Sequence, residues 1–374
     1  MLNVEWIEDP QRWQRFRVSW EDVHSKTSRP SIFTSWDFLQ ASWKYFAEPY
    51  WSRLAVLRFY DADGDVGFAP LRISQSRRYG IPLRRLTHLA QWESDRAPFI
   101  IASERQPECA SAFWNVLEDQ MDEWDQVDLH ELSPGEPIVR QALIRGEEPS
   151  PFKVSSINLP PSAFLGFVSD WEGLLGGMDW NHRQELQRLF PLLEKHGDCE
   201  LEVCEEADDM AKALEHLVRI EQESQKNTTN RGVGKDHRHL QFYRELLDRL
   251  SQRGEVSISF VKQKGVRLSA LLEYRFLGKI TLAQSTFLSS HASSSPDLIH
   301  LTASLKRHLE EGAATYEFAA ESLRHQRRWS QHAHENIRLR VVQHRRLKHR
   351  VLFPRASMRV FSRLPQRRAN LTTN

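Results

Sequence analysis

The sequence predicts an α/β chain of two similar halves, each a mixed, mostly antiparallel sheet flanked by helices. The chain has 374 residues, of which 40% are hydrophobic, so it exceeds the usual size of one domain and can fill two cores. A strand, a short Gly turn and a second strand occur twice, each time followed by a helix and another strand. We therefore expect a structural duplication, with halves at 1–150 and 151–343 and a separate C-terminal tail at 344–374.

The first half starts this order with a predicted hairpin. The runs "WSRLAVLRFY" and "VGFAPLRIS" flank an acidic Gly turn at residues 61–65. Residues 107–124 have the periodicity of a helix, and "QVDLHEL" is typical of a strand. A Pro-rich stretch, "PGEPIV" through "EEPSPF", then marks the neighbourhood of the boundary between the halves.

The second half repeats the order. Its predicted elements are helices at 207–225 and 236–252, a hairpin at 255–276 turning at Lys264-Gly265, a strand at 279–288, a helix at 297–312, and strands at 315–321 and near 335–343. In the second hairpin strand, apolar residues alternate with a mostly polar set that includes Ser269 and Glu273. We expect one face of this strand to be core and the other mostly polar.

The formal net charge of +1 hides a strongly basic C-terminus. From Arg338 to Asn374 there are eleven Lys and Arg residues and no Asp or Glu, whereas the rest of the chain has 40 basic and 50 acidic residues. The tail interleaves its charges with Val, Leu and Phe, which is typical of a segment that contacts an anionic membrane surface or another polyanion. A solvated chain end is the alternative.

The first residues are charged where a secretory signal needs an apolar block. No apolar run approaches the roughly 20 residues that span a bilayer. We therefore expect a cytoplasmic protein, with the basic tail able to hold it at the periphery of the inner membrane. The sequence does not indicate an oligomeric state.

Metal-ligand patterns are weak. The three cysteines lack the close pairs of zinc sites, and His332 and His334 have no third ligand at a suitable spacing. We predict no metal site.

Three short motifs of the second half occur in the order known from one protein family. "IEQESQK" contains Glu221, Ser224 and Lys226, "SSSPD" opens a predicted helix, and "YEFAAESLRHQRRW" follows. They resemble the E-x-x-S-W-K, S-P-G and D-F-x-x-G-x-x-x-Y-K-x-x-W segments of the BioF2-like acetyltransferase domain of the GNAT superfamily. That domain is found in CelD-type proteins linked to cellulose and exopolysaccharide biosynthesis. The last motif differs from the family at four positions, Glu317, Glu321, His325 and Gln326, and the second differs at Asp297.

The resemblance implies two tandem GNAT-like domains and direct acyl transfer. An amine or hydroxyl would attack the thioester of acetyl-CoA or another acyl-CoA, without a covalent enzyme intermediate. The implied acceptor is a small molecule or glycan related to cell-envelope polysaccharide. The implied contacts with acyl-CoA are Ser294, Ser295 and Asp297, and the implied contacts with the acceptor are Ser224, Lys226, Glu273, Gln284, Arg328 and Trp329.

The start of the predicted helix also has a physical interpretation of its own. Ser295 is a candidate N-cap, Pro296 suits the first helical position, and the free N–H groups with the helix dipole attract a pyrophosphate. An ordinary helix start is the alternative. Asp297 favours that alternative, because a carboxylate about 4 Å from a phosphate charge costs roughly 1 kcal/mol in water.

Glu321 and His325 are the candidate catalytic base, because a carboxylate can hold an imidazole and tune its pKa near neutral pH. A solvated charged turn is the alternative. The first half has no equivalent of "SSSPD", so we expect it to be structural and to shape the acceptor cleft.

Two other functions stay open. The duplicated layout is also similar to the Fem-type transferases, which use aminoacyl-tRNA. The same fold can also serve as an interaction module without chemistry.

Overall fold

The computed structural model describes residues 1–48, 50–90, 99–147, 150–167, 170–194, 199–224, 232–318, 328–330 and 332–343. The strands of the first half are β1 (Asn3–Ile7), β2 (Ser52–Leu54), β3 (Val56–Asp61), β4 (Gly64–Ala69), β5 (Leu71–Arg78), β6 (Ile81–His88), β7 (Ile100–Ile101) and β8 (Gln126–Leu132). Its helices are α1 (Pro10–Gln14), α2 (Arg17–Ser25), α3 (Trp36–Phe46), α4 (Gln106–Asp119) and α5 (Pro137–Arg145).

The second half continues the same numbering. Its strands are β9 (Phe152–Gly166), β10 (Cys199–Cys204), β11 (Val256–Gln263), β12 (Val266–Phe276), β13 (Lys279–Phe287), β14 (Thr315–Phe318) and β15 (Ala333–Gln343). Its helices are α6 (Trp171–Gly176), α7 (Trp180–Glu194), α8 (Ala207–Gln222), α9 (His237–Ser251) and α10 (Pro296–Glu310).

One sheet runs through both halves. Among the described residues it has eleven strands in the order β10-β11-β12-β13-β14-β9-β15-β8-β6-β5-β2, and a smaller sheet has the order β1-β3-β4-β7. The long strand β9 pairs with β14 near its C-terminal end and with β15 along most of its length. Strand β15 therefore lies between β9 and β8 and completes the sheet of the first half. The predicted division at residue 150 remains a prediction, and the sheet continues across it.

Each half contains a parallel strand pair connected by a helix. In the first half α4 connects β6 to β8, and in the second half α10 connects β13 to β14. A parallel pair needs such a crossover, because the chain must return to the same end of the sheet before it can pair again. The two crossovers, each preceded by antiparallel strands, show the predicted duplication at the level of structure.

The two predicted hairpins are confirmed. Strands β11 and β12 turn at Lys264 and Gly265, whose φ angles of 50° and 79° are those that a tight hairpin turn requires. The first hairpin joins β3 to β4, but each of its predicted runs is divided between the two sheets. Pro70, which has no N–H for a strand ladder, marks the change from β4 to β5.

Strand β12 is buried on both faces. Its apolar face packs against α8 and belongs to a core cluster, as predicted. Its polar face is also buried, because α10 covers it: Ser269 and Glu273 are 0% and 1% exposed. Polar side chains on α10 supply the hydrogen-bond partners that make this burial possible.

A shared hydrophobic core joins the halves on the α8–α9 side of the sheet. The ring of Phe38 on α3 contacts the ring of Phe242 on α9, with centroids 5.5 Å apart. Next to this contact the buried carboxylate of Asp37 pairs with Arg253 and, at 3.5 Å, with Arg249. Because each fully buried Phe stabilises by roughly 2 kcal/mol, this layer holds the two halves together.

Candidate functional site

Helix α10 begins beside the loop that leaves β13. Ser295 occupies the N-cap position, as predicted, but with φ 49° and ψ 51° it is left-handed, and its side chain makes no capping hydrogen bond. Among the described residues, the first N–H groups of the helix therefore lack a side-chain cap and can bind an anion.

Two other predicted residues share this corner. Ser294 is exposed, and its hydroxyl donates to the carbonyl of His291 at 2.8 Å. Asp297 lies in the first turn of α10 and is half-buried. The corner thus combines a helix N-terminus, which attracts an anion, with a carboxylate, which opposes one.

His300 fixes the start of α10 onto the sheet. Its Nδ1 lies 2.9 Å from the hydroxyl of Ser269, which donates to the carbonyl of Pro296, and its Nε2 lies 2.8 Å from the hydroxyl of Ser259. This arrangement assigns the proton to Nδ1, so that Nε2 accepts from Ser259. Burial lowers the pKa of His300 to about 3, so the ring is neutral and structural at physiological pH.

Strand β13 has a bulge at the same end of the sheet. Leu272 pairs with Gln284 and Glu273 with Leu282, which leaves Ala283 as an extra residue on β13. The described pairing of β13 with β14 ends at Leu282, next to this bulge. Bulges redirect backbone groups and often border active sites. Gln284, one of the predicted acceptor contacts, is half-buried directly after the bulge.

Three strands bring Glu317, His334 and Phe164 together on the α8–α9 face. The ring of His334 on β15 stacks on Phe164 of β9, with centroids 4.2 Å apart, and its Nε2 lies 3.9 Å from Oε1 of Glu317 on β14. The amine of Lys279 on β13 is also 3.9 Å from Glu317 Oε1 and donates to the carbonyl of Pro30 in the first half. The side chains of His334 and Glu317 are 23% and 17% exposed, so both are accessible to a small group.

This arrangement can move a proton. A separation of 3.9 Å is too long for a hydrogen bond but is within ion-pair range. The stacked ring of Phe164 limits the orientations of the His334 ring. A neutral His334 can therefore accept a proton from an amine or hydroxyl that lies over this face.

Sequence reasoning did not identify this pair. In the sequence, Glu317 stands out only as the acidic residue near the start of the third motif, and His334 only as part of an H-x-H pair that lacks a third metal ligand. The residues are 17 positions apart in sequence and meet because β15 pairs with β9.

Glu273, a predicted acceptor contact, lies in the core beneath α10. Its carboxylate accepts hydrogen bonds from Ser304 and Tyr316, both at 2.5 Å, and lies 3.3 Å from Nε2 of His308. Burial raises the pKa of Glu273, but His308 and the two hydroxyl donors outweigh that effect and lower the pKa to about 2. Glu273 is therefore ionised and joins β12, α10 and β14.

The other predicted residues are dispersed. Ser224 is buried just after α8, Arg328 is exposed and pairs with Glu185 of α7, and Trp329 is buried edge-to-face against His182 at 4.7 Å. Three predicted residues, Lys226, Glu321 and His325, lie outside the described residues, as does the tail from residue 344 onward. The structure thus groups Ser294, Ser295 and Asp297, with Gln284 on the strand that leads to them.

The described part of the chain has neither a metal-binding cluster nor a membrane-spanning helix. No group of His, Cys, Asp and Glu side chains has an arrangement that could hold a metal ion. No described helix combines the length and apolar character needed to span a bilayer.

Residues 181–327, from α7 to beyond β14, match the family model described as an acetyltransferase (GNAT) domain. The matched part of the second half therefore has a GNAT fold. Its bulged strand β13, uncapped helix α10 and parallel strand β14 all lie within the matched residues. The BioF2-like and CelD-type subdivision inferred from the motifs remains a prediction.

Solved structures extend the likeness to both halves. FemX superposes with a TM-score of 0.60 at 10% identity, over 89% of this chain and 96% of FemX. The C-terminal domain of a putative lysylphosphatidylglycerol synthetase from Agrobacterium fabrum gives 0.53 at 12% identity, over 88% and 92% of the two chains. L-PGS from Bacillus licheniformis gives 0.52 at 10% identity, over 92% and 94%. At such identities the likeness shows the fold, so the predicted tandem GNAT fold is confirmed. No curated protein is significantly similar in sequence.

Proposed function

We propose that the protein is an acyltransferase that moves an acyl group from acyl-CoA to an amine or hydroxyl of an acceptor on the α8–α9 face. One observation supports this most strongly. The uncapped start of α10, the bulge at Ala283 and the Glu317–His334 pair all lie at the end of the sheet where the described pairing of β13 and β14 stops. Ligands of α/β sheets characteristically bind at this end of parallel strands.

Different residues would bind the acyl donor and activate the acceptor. The N–H groups at the start of α10 would hold the pyrophosphate of acyl-CoA, whose thioester is the group that the acceptor attacks. His334 would take the proton that the attacking amine or hydroxyl loses, and Glu317 would stabilise the resulting imidazolium. The C–S bond of the thioester would then break, and CoA would leave as the thiolate and take that proton from His334. Backbone groups at the bulge would face the reacting carbonyl. The motif resemblance suggests a glycan or a polysaccharide precursor of the cell envelope as the acceptor.

A second candidate is an aminoacyltransferase with a different donor. Asp297 favours it, because this carboxylate lies in the first turn of α10 and would repel a CoA pyrophosphate bound there. The full-length likeness to FemX and to the two lysylphosphatidylglycerol-related proteins is compatible with it. In this case the start of α10 would have lost its role in CoA binding, and the Glu317–His334 pair would keep its role.

Calorimetric titration with acetyl-CoA tests the first candidate. We expect saturable binding to the wild type and about fivefold tighter binding to Asp297→Asn, since removing the carboxylate removes roughly 1 kcal/mol of repulsion. Asp208→Asn is the matched control, because Asp208 lies in the first turn of α8 and should not affect binding. If neither the wild type nor Asp297→Asn binds acetyl-CoA, the first candidate is wrong. Binding of aminoacyl-tRNA would then support the second, and binding of neither donor would support an interaction module.

A further inference from the structure

A group of arginines occupies the first-half part of the face that carries His334. On β15 the even-numbered residues share one face, which places Arg338 and Arg340 on the same side as His334. On β6, Arg85 shares this face with Thr87, which is in register with Asp128 of β8. The opposite face of these strands forms the core beneath α4 and α5, so the arginines point away from it.

Two of these arginines share one buried acidic partner, Asp128. Asp128 is buried and forms a bidentate pair with Arg338, at 2.6 Å for both hydrogen bonds, while Arg340 is 3.7 Å from the same carboxylate. Arg85 forms no ion pair with any described residue, and its Nε is buried without a hydrogen-bond partner there. A buried guanidinium nitrogen without a partner is costly, and an anion would satisfy it.

Arg85 is in register with Gln126 of β8 and Arg340 is in register with Asp128, so these two arginines flank β8 two residues apart. Adjacent strands are about 4.8 Å apart, and the arginines occupy β6 and β15, which flank β8. His130, beside Asp128 on β8, is affected by all of them: burial and the charges of Arg338, Arg340 and Arg85 lower its pKa. The side chains of Arg338 and Arg340 are 27% and 29% exposed, so their head groups are accessible from solvent.

We propose that Arg85, Arg338 and Arg340 form a binding site for a phosphate, sulfate or carboxylate group. The fork of an arginine matches the oxygens of these anions. The inference that the bound anion is part of the acyl acceptor rests on the proposed function. The anion site itself does not rest on it.

Strand β15 sets the dimension of such an acceptor. Arg338 and Arg340 lie four and six residues beyond His334, which corresponds to about 14 and 20 Å at 3.4 Å per residue. An acceptor that contacts both His334 and the arginines must therefore be extended. Its anionic group must lie about 14 to 20 Å from the atom that receives the acyl group. A small acceptor such as a free amino acid would not reach from one to the other.

Calorimetry of the full chain with inorganic phosphate, and separately with acetate, tests the site and its preferred anion. We expect saturable binding to the wild type, about tenfold weaker binding to Arg85→Gln through loss of a charge-assisted hydrogen bond, and unchanged binding to Arg77→Gln. Arg77 is the matched control because it is exposed on the neighbouring strand β5. Arg85 has no described ion pair to lose, so the variant should fold, and circular dichroism will check this.

The results separate this inference from the proposed function. The anion site would be overturned if each anion bound the wild type and Arg85→Gln with the same affinity. It would also be overturned if neither anion bound the wild type saturably. Either result would count even if acetyl-CoA binds. Arg85-dependent anion binding would support it, even if acetyl-CoA does not bind. Tighter binding of phosphate than of acetate would indicate a phosphorylated ligand, and the reverse order a carboxylate.

Discussion

His334 has a defined orientation because three strands converge on it. Phe164 stacks on its ring, and Glu317 approaches its Nε2 from β14. His332, two residues earlier on the same chain segment, is exposed and lies farther from Phe164, with ring centroids 5.9 Å apart. The two histidines of one H-x-H motif therefore differ in environment, and this difference allows a controlled experiment.

We expect His334→Ala to lower acyl transfer by about 100-fold or more, as loss of a general base typically does, with little change in acyl-donor affinity. His332→Ala should retain activity close to that of the wild type. Steady-state rates with any acceptor that the wild type uses provide the measurement. Equal losses in both variants would remove His334 from the role of base.

At the level of secondary structure, α10 packs on the sheet through buried polar side chains as well as apolar ones such as Leu305. Near its start, His300 is held by two serines of the sheet, and near its end Ser304 and His308 contact Glu273. Such a polar layer fixes the position of the helix along the sheet, because each hydrogen bond has one partner and one direction. The same hydrogen bonds therefore fix the position of the start of α10, where an anion would bind.

The pH dependence of stability should reveal this layer. The pKa of Glu273 is lowered from 4.5 to about 2 in the folded protein, so its contribution is fully present above pH 4.5 and is lost as the pH falls towards 2. The shift corresponds to stability on the order of 3 kcal/mol. We expect the free energy of unfolding of the wild type to fall more steeply over this window than that of Glu273→Gln. Parallel curves from chemical denaturation would contradict this assignment.

Local signals in the sequence predicted much of the fold, and contacts distant in sequence account for what it missed. The turn at Lys264-Gly265 depends on two adjacent residues, and it was found. The burial of Glu273 depends on a helix about 30 residues later, so an alternating pattern could suggest only a polar face. The Glu317–His334 pair was missed because it exists only through the pairing of β15 with β9. The start of α10 was located correctly from Ser295 and Pro296.

At the level of the whole molecule, the halves share both a sheet and a core. The cluster on the α8–α9 side contains residues of α2, α3, α8 and α9, and β15 connects the two parts of the sheet. Domains with separate cores can unfold independently, whereas a common core favours a single cooperative unit. We therefore expect the tandem fold to unfold as one body.

We expect thermal unfolding in one transition, with near- and far-ultraviolet circular dichroism changing together. Asp37→Ala should lower the midpoint of that single transition, because it leaves Arg249 and Arg253 without their buried partner. Asp22→Ala, which removes an exposed pair with Lys26, should have little effect. Two resolved transitions in the wild type would show that the halves are independent.

The position of β15 also has a consequence for synthesis. The edges of β8 and β9 that β15 will cover emerge from the ribosome long before residues 333–343 are made. At ordinary rates of elongation the delay is on the order of ten seconds or more, and unpaired strand edges attract other chains during such intervals. The first half therefore cannot finish folding on its own as it emerges. Its aggregation in the cell should depend on how quickly the ribosome translates the second half.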